Sequence, residues 1–458
     1  MGKRVFVLGA GASCAANLPP QKNLLRDIFS LNKEFRKNIE SDFMDKKVLS
    51  KGKTYTDQFF DDLLSVFDDF DRCRFEIARF IVYCFLSGGL KKELDIYIRN
   101  IINTRNNQES DEPELAEDDA ENIISKCKAL VYKQLRSLNV TLEDIFTLFD
   151  SVITGQEQFH DYTKNDIEDI RYDLIYCISY LLAYQEHEKC SECKVYDRFS
   201  KYLIDKRMTS SLSEDNLSII TLNWDDLLDR SLYRECKKLE VDGKPVVLPD
   251  YCMYDYPAVP NDSFIPSTHI KAKGIYNIKL LKLHGSLNWL RCPRCKRLFI
   301  DDKEPIAIKH LNCPCCAEIV ENSPSLKGLI ITPTFMKALN EMHLENIWHN
   351  AFIELSEASE VVFIGYSFPV ADFEMRCLLK KAIRPGTKLR VVLSEYDSDK
   401  AFYDKLVDNG INSNIINDIL YKIDFSSNRY KSFFGEGNVS VTFEGFEKYI
   451  EEIEHEEK

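Results

Sequence analysis

The sequence has no apolar run long enough to cross a bilayer and no long run of lysine and arginine. The first absence excludes a membrane-spanning helix, which needs about 20 consecutive apolar residues. The second weighs against direct binding of nucleic acid. Basic side chains number 60 against 74 acidic ones, a net charge of −14, and a polyanion draws its affinity from lysine and arginine. No internal repeat is evident. Met1 to Ala10 leads straight into a strand, so no signal peptide is expected. Fifteen cysteines in such a chain point to reduced thiols and metal ligation, not to a disulfide framework. A cytoplasmic protein is the expectation. With 458 residues, 44% of them hydrophobic, two or three domains are expected.

What is present centres on Leu281 to Cys316. A short apolar run, Ile278 to Leu283, reads as a strand that ends at His284-Gly285. Two cysteine pairs follow, Cys292 with Cys295 and Cys313 with Cys316, in the spacing C-x2-C-x17-C-x2-C. That spacing fits a structural zinc ribbon. Four thiolates leave zinc no open position, so the metal folds the ribbon and does not activate water. Cys315 stands beside Cys316 and is an alternative fourth ligand.

Strands that stop at polar or glycine-rich loops recur along the chain. Lys3 to Leu8 is a β-branched and aromatic run that stops at Gly9-Ala10-Gly11-Ala12-Ser13, where small residues bring the backbone close to a phosphate. The third glycine of G-x-G-x-x-G is missing. Leu217 to Leu222 stops at Asn223-Trp224-Asp225-Asp226, a loop that a helix cap by Asn223 or Asp225 also explains. Leu329 to Ile331 is followed by Thr332-Pro333-Thr334. Glu360 to Ile364 stops at Gly365-Tyr366-Ser367-Phe368-Pro369, with Asp372 beyond. Leu389 to Leu393 stops at Ser394-Glu395, where an acid can hold a ribose diol.

Between Lys22 and Arg207 the pattern is mostly helical. Apolar stripes run through Phe59, Phe60, Leu63, Leu64 and Phe67, then through Phe75, Ala78, Ile81 and Val82, and are expected to be core. Gln108 to Glu121 is acidic and reads as a solvated loop. Thr141-Leu-Glu-Asp-Ile145 predicts a capped helix start. Asp169 to Tyr184 and Ile347 to Ser356 are further helices. Cys190 and Cys193 form a lone pair read as surface thiols. Tyr449 to Lys458 reads as an acidic helix or frayed end with a solvated face. The β-α alternation on both sides of the helical stretch predicts an α/β fold. It is a Rossmann-like parallel sheet with a large helical insertion and a small zinc ribbon.

Taken in order, four pieces resemble the sirtuin family of NAD-dependent enzymes. They are Gly9-Ala-Gly-Ala-Ser13, Thr221-Leu-Asn-Trp-Asp225, Leu283-His-Gly-Ser286 with its four-cysteine ribbon, and Gly365-Tyr-Ser367. The resemblance implies that Asn223 and His284 are the catalytic pair. It implies NAD contacts from Ala10, Gly11, Ser13, Asp225, Gly365 and Ser367, and Ala12, Thr221, Tyr366, Asp372 and Glu395 are further candidate contacts. It also implies structural zinc on Cys292, Cys295, Cys313 and Cys316. On this reading residues 1–30, 208–287 and 323–400 make up the NAD-binding domain. Residues 31–207 are the helical insertion, 288–322 the ribbon and 401–458 a C-terminal segment.

Two departures refine the expectation. Protein-deacetylating sirtuins carry a Pro-Asp-Phe-Arg loop after the first glycine motif. Here that stretch is Leu18-Pro-Pro-Gln-Lys-Asn-Leu-Leu25, without the Phe and Arg. The long insertion is also foreign to deacetylases. Both features, with Thr141 to Phe146 and with Phe363 to Pro369 followed by Asp372, resemble bacterial sirtuin-like proteins of anti-phage defence that hydrolyse NAD+. The resemblance implies release of nicotinamide and ADP-ribose, homo-oligomers, and a partner such as a motor ATPase or a phage-sensing protein. The alternatives are an NAD-dependent protein deacylase and a non-catalytic sensor of NAD or ADP-ribose. NAD+ hydrolysis passes through an oxocarbenium-like state. Asn223 suits it as a neutral, fixed hydrogen-bonding group, and His284 as the proton acceptor. Asp225 either holds the ribose or braces the loop.

Overall fold

The computed structural model describes residues 2–30, 141–155, 158–159, 162–189, 194–253, 256–257, 274–300, 311–317, 323–334, 342–394 and 425–456. It also describes scattered positions between 70 and 92, and residues 403, 407 and 408. The chain falls into two compact units, Met1–Gln21 with Leu182–Lys458, and Lys22–Leu181.

The first unit is built on a seven-stranded sheet. Its strands are β1 (Lys3–Leu8), β2 (Leu217–Thr221), β3 (Val247–Asp250), β5 (Tyr276–Lys282), β9 (Ala358–Ile364), β10 (Lys388–Val392) and β11 (Val439–Thr442). They lie in the order β11-β10-β9-β1-β2-β5-β3, every pair parallel. Parallel strands covered on both faces read as continuous apolar runs, and β1 shows why. Phe6 meets Phe199 edge-on at 5.2 Å. Val5 and Val7, which alternate to the other face, are also fully buried. Helices α1 (Ala10–Cys14), α5 (Lys194–Met208), α6 (Leu227–Lys237), α8 (Met342–Glu357), α9 (Phe373–Ala382), α10 (Ser426–Phe434) and α11 (Gly445–Glu456) belong to this unit.

The register aligns the strand ends. Leu8 pairs with Thr221 and Ile364, Thr221 with Lys282, Ile364 with Val392, and Val392 with Thr442. The loops after β1, β2, β5, β9 and β10 therefore leave the sheet at one level along its carboxyl edge. From β1 the chain goes on to β2 on one side. From β9 it goes on to β10 on the other. The β1/β9 boundary is thus the topological switch point, where open α/β sheets bind ligands.

A second, four-stranded sheet takes the order β4-β7-β6-β8, from β4 (Tyr256–Pro257), β6 (Gly285–Arg291), β7 (Leu298–Ile300) and β8 (Lys327–Ile330). Only Leu283 and His284 separate β5 from β6. Gly285 makes the turn at φ +76°, and a Cβ there would sit 2.0 Å from the Leu329 carbonyl oxygen. The short helix α7 (Pro314–Ala317) carries the second cysteine pair.

Three findings differ from the sequence reading. Leu329 and Ile330 lie in β8, which pairs antiparallel with β6 in the small sheet and not in the parallel one. Helix α5, at the end of the expected insertion, packs on β2 and β5. The tail is core and not a solvated face. β11 completes the sheet, and Phe446, Tyr449, Ile450 and Ile453 of α11 are buried at helical spacing, with Arg198 of α5 holding Glu454 at 2.6 Å.

The second unit contains most of α2 (Gln21–Ser30), α3 (Leu142–Gly155) and most of α4 (Lys164–Lys189). The expected cap at Thr141 is formed: its N–H donates to Asp144 Oδ2 at 2.8 Å, and Asp144 N–H donates to Thr141 Oγ1 at 3.2 Å. Phe146 and Phe149 are core, and Phe80 lies 5.1 Å from Phe149. The stripe from Phe59 to Phe67, the acidic segment 108–121, Phe75, Ala78, Val82, Cys190, Cys193 and Glu395 lie outside the described residues.

Candidate active site

The first and fourth loops interlock. Gly11 N–H donates to the Gly365 carbonyl at 2.7 Å. A Cβ on Gly365, whose φ is +61°, would meet Ala12 N at 2.1 Å, and one on Gly9 would meet Tyr366 Cα at 2.5 Å. The glycines are therefore required where the two backbones meet at the switch point. Ala12 N–H donates to the Gly9 carbonyl at 2.9 Å. Two N–H groups of the expected phosphate cradle are thus used within the protein. Ala10 and Gly11 remain exposed at the surface of this loop.

Ser13 is a hub below that surface. It is 3% exposed. Its hydroxyl donates to Asp225 Oδ2 at 2.7 Å and receives Asn223 Nδ2 at 2.9 Å, with Tyr196 Oη at 3.1 Å. One proton and two lone pairs are then fully used. Asn223 Nδ2 also donates to the Gly9 carbonyl at 3.0 Å. A carbonyl can only accept, so this bond fixes which way the amide points. Both amide hydrogens are spent on the first loop, and Oδ1 is left as the acceptor that Asn223 offers. Thr221 Oγ1 receives Asn223 N–H at 3.1 Å, so this hydroxyl shapes the loop.

His284 is 7% exposed and follows the strand next to that of Asn223. Its peptide is pinned on both sides. Trp348 Nε1 donates to the Leu283 carbonyl at 3.1 Å, and Ile331 N–H donates to the His284 carbonyl at 2.8 Å. Trp224 Nε1 reaches the Ile331 carbonyl at 3.1 Å, so the loops carrying Asn223 and His284 share a brace. His284 Nε2 lies 3.9 Å from Asp372 Oδ1. Tyr366 Oη donates to Asp372 Oδ2 at 3.1 Å. Burial, then the Asp372 charge, pushes the Tyr366 phenol well above its ordinary value, so it stays a donor. Ser367 is exposed, its carbonyl held by Arg429 at 2.7 Å.

Behind the Asn223 loop lies a buried charged cluster. Lys282, fully buried, donates to the Asp225 carbonyl at 2.6 Å and to Asp229 Oδ2 at 2.8 Å. Arg230 pairs with Glu186 and, at 2.8 Å, with Asp226. Burial pushes the Asp226 carboxyl up to about 7, although its hydrogen bond with Glu186 pulls the other way. Burial and the neighbouring Asp226 push Glu186 up as well. Asp225 is also raised, by burial first.

The ribbon cysteines converge. The sulfurs of Cys292, Cys295, Cys313 and Cys316 lie within 4.8 Å of one another. The Cys292–Cys316 and Cys295–Cys313 separations are 3.8 and 3.7 Å. Tetrahedral zinc with Zn–S of about 2.3 Å implies S···S edges of about 3.8 Å, so the set fits a zinc ion. Cys316, and not Cys315, belongs to the converging set.

Asn223, His284, Asp225, Ser13, Thr221, Gly365, Tyr366 and Asp372 thus gather at one sheet edge, and the metal set stands apart from them in the ribbon. Sequence reasoning missed Tyr196, Lys282, Trp224 and Trp348. Lys282 had a visible signal: a lone charge within Leu280-Leu-Lys-Leu-His284. Tyr196 had none, since only the fold brings α5 to the Ser13 hydroxyl.

No family model matches the sequence, and no curated protein matches it. Solved structures are similar to it. One is a Sir2 homologue mutant with ADP-ribose, 17% identical, aligned over 43% of this chain and 53% of that one with a TM-score of 0.23. A second is a triple mutant of Sir2 homologues with 2'-O-acetyl ADP-ribose, 12% identical over 85% and 80%, TM-score 0.27. A third bears on the mechanism and regulation of Sir2 enzymes, 16% identical over 44% and 58%, TM-score 0.23. The alignment spans about half the length of the first of these structures. TM-scores this low assign no family, so the functional reading starts from the residues.

Proposed function

We propose that the chain is a sirtuin-like NAD+ hydrolase that releases nicotinamide and ADP-ribose. The observation that carries the reading is the joint placement of Asn223 and His284. They follow neighbouring strands at one level, both buried, in the four-motif order that resembles sirtuins. In this reading the dinucleotide lies along the carboxyl edge of β1, β2, β5 and β9. Asn223 Oδ1 accepts a hydrogen bond from the attacking water or a ribose hydroxyl, which orients it. The water oxygen bonds to the anomeric carbon as the bond to the pyridinium nitrogen breaks. That bond's electron pair neutralises nicotinamide, and His284 takes the water proton. Zinc in the ribbon would supply folding energy and no chemistry.

The biological role that fits is defence against phage by NAD+ depletion. A homo-oligomer and a partner ATPase or phage-sensing protein belong to the same proposal. Incubation with NAD+ and product chromatography tests the activity, run alone and with an acyl-lysine peptide. Nicotinamide and ADP-ribose without peptide, lost in Asn223→Ala and His284→Ala, is the expected result. Release only with peptide would move the assignment to a deacylase. Tight ADP-ribose binding with no turnover under any condition would move it to a sensor.

A further inference from the structure

Asp372 stands at the N-cap of α9, where an aspartate ordinarily accepts a backbone N–H of the first turn. Such a cap is worth about 1 kcal/mol. Here the side chain makes no cap hydrogen bond. Its carboxylate is turned the other way, with Oδ2 receiving Tyr366 Oη at 3.1 Å and Oδ1 lying 3.9 Å from His284 Nε2. The carboxylate is buried, as are the imidazole and the phenol. Forgone capping together with a buried acid facing a buried imidazole is unexplained by helix formation.

The loop that holds Asp372 is itself fixed. Tyr430 Oη donates to the Tyr366 carbonyl at 2.9 Å, and Arg376 Nη2 donates to the Phe368 carbonyl at 3.2 Å. Phe368 is held at φ +55°, stacked on Tyr430 at 4.8 Å with the Arg376 guanidinium 4.6 Å from its ring. A left-handed phenylalanine persists only where its surroundings over-determine it. The carboxylate is therefore presented to His284 from a stiff frame.

We propose that Asp372 is the positioning residue of His284. It acts through the imidazole, orienting the ring and stabilising the imidazolium formed when His284 accepts a proton, and it does not contact the substrate. Tyr366 in turn orients Asp372. A shift of about 1 Å brings the 3.9 Å contact to hydrogen-bond length. The proposal rests on the hydrolase reading for its catalytic consequence, and on geometry alone for the pair.

The test uses Asp372→Asn in the full chain, which keeps the shape and an acceptor for Tyr366 but removes the charge. Two readouts are taken. The ring nitrogen-15 signals of His284, assigned by their disappearance in His284→Ala, are expected to move in Asp372→Asn. Steady-state kinetics are expected to show kcat lower by about 10²-fold, within the range for general-base contributions, with KM for NAD+ changed less than about twofold. Tyr366→Phe is expected to lower kcat by a smaller factor. Unmoved ring signals in a folded variant overturn the pairing. A raised KM with kcat retained overturns the positioning role, because the carboxylate would then be a substrate contact. If the wild-type chain turns over no NAD+, the hydrolase reading fails, and the ring signals still decide the pair.

Discussion

Ser13→Ala separates a structural hub from a ligand contact. The substitution removes one oxygen and with it three buried hydrogen bonds, to Asn223 Nδ2, Tyr196 Oη and Asp225 Oδ2. An unsatisfied buried polar group costs about 1–3 kcal/mol. Asn223 keeps the Gly9 carbonyl and Asp225 keeps a backbone bond from Leu227, so the loss at both is partial. We expect about 2–4 kcal/mol in total. The three tryptophans of the chain, Trp224, Trp289 and Trp348, all belong to the sheet-bearing unit, so their fluorescence in urea follows that unit alone. In the assay, Ser13→Ala should lower its urea midpoint by that free energy. It should also lower kcat for NAD+ by at least about tenfold, because the Asn223 amide loses one of its two anchors. A variant within about 0.5 kcal/mol of wild type, with only KM raised, would refute the hub and return Ser13 to the role of a substrate contact.

Other outcomes follow from the same geometry. Cys316→Ser should lower bound zinc and the melting temperature and Cys315→Ser should leave both in place, as read by metal analysis and thermal melts. A strong chelator should reproduce the loss in wild type. The Asp226 carboxyl, raised to about 7 by burial, binds its proton more tightly in the folded chain than in the unfolded one. Its stabilisation is complete below the ordinary carboxylate range and is lost as pH rises through about 7. Urea midpoints of the wild type should therefore fall between about pH 5 and about pH 8 more steeply than those of Asp226→Asn, and equal slopes would contradict this. Gly285→Ala places a Cβ 2.0 Å from the Leu329 carbonyl at a φ of +76°. It should cost at least about 2 kcal/mol or prevent folding, and a wild-type melt would contradict the stated strain.

Much of the sheet was legible because its strands are buried on both faces. Lys3–Leu8 has the bounds read from its apolar run, and β2, β5, β9 and β10 agree within about two residues, a usual boundary uncertainty. Four of them, β1, β2, β5 and β9, end within two residues of one that breaks or caps a strand: Gly9, Asn223, His284 before Gly285, and Gly365. The cysteine spacing was legible because a tetrahedral thiolate site constrains it directly. What was not legible depends on tertiary partners. The tail looked solvated because Glu447, Glu451 and Glu452 dominate its composition, although Phe446, Tyr449, Ile450 and Ile453 carried a helical stripe. Gly9 and Gly11 suggest an anion cradle in one dimension. In three dimensions they are also demanded by the Gly365 backbone. Asp372 reads in the sequence as an NAD contact, and only the fold turns its carboxylate toward His284.

The most direct test of the account is a crystal structure of the chain with ADP-ribose. The account expects the diphosphate beside the Ala10-Gly11 loop at the β1/β9 boundary and the nicotinamide-side ribose between Asn223 Oδ1 and His284. ADP-ribose bound elsewhere, with Asn223 and His284 untouched, would contradict it.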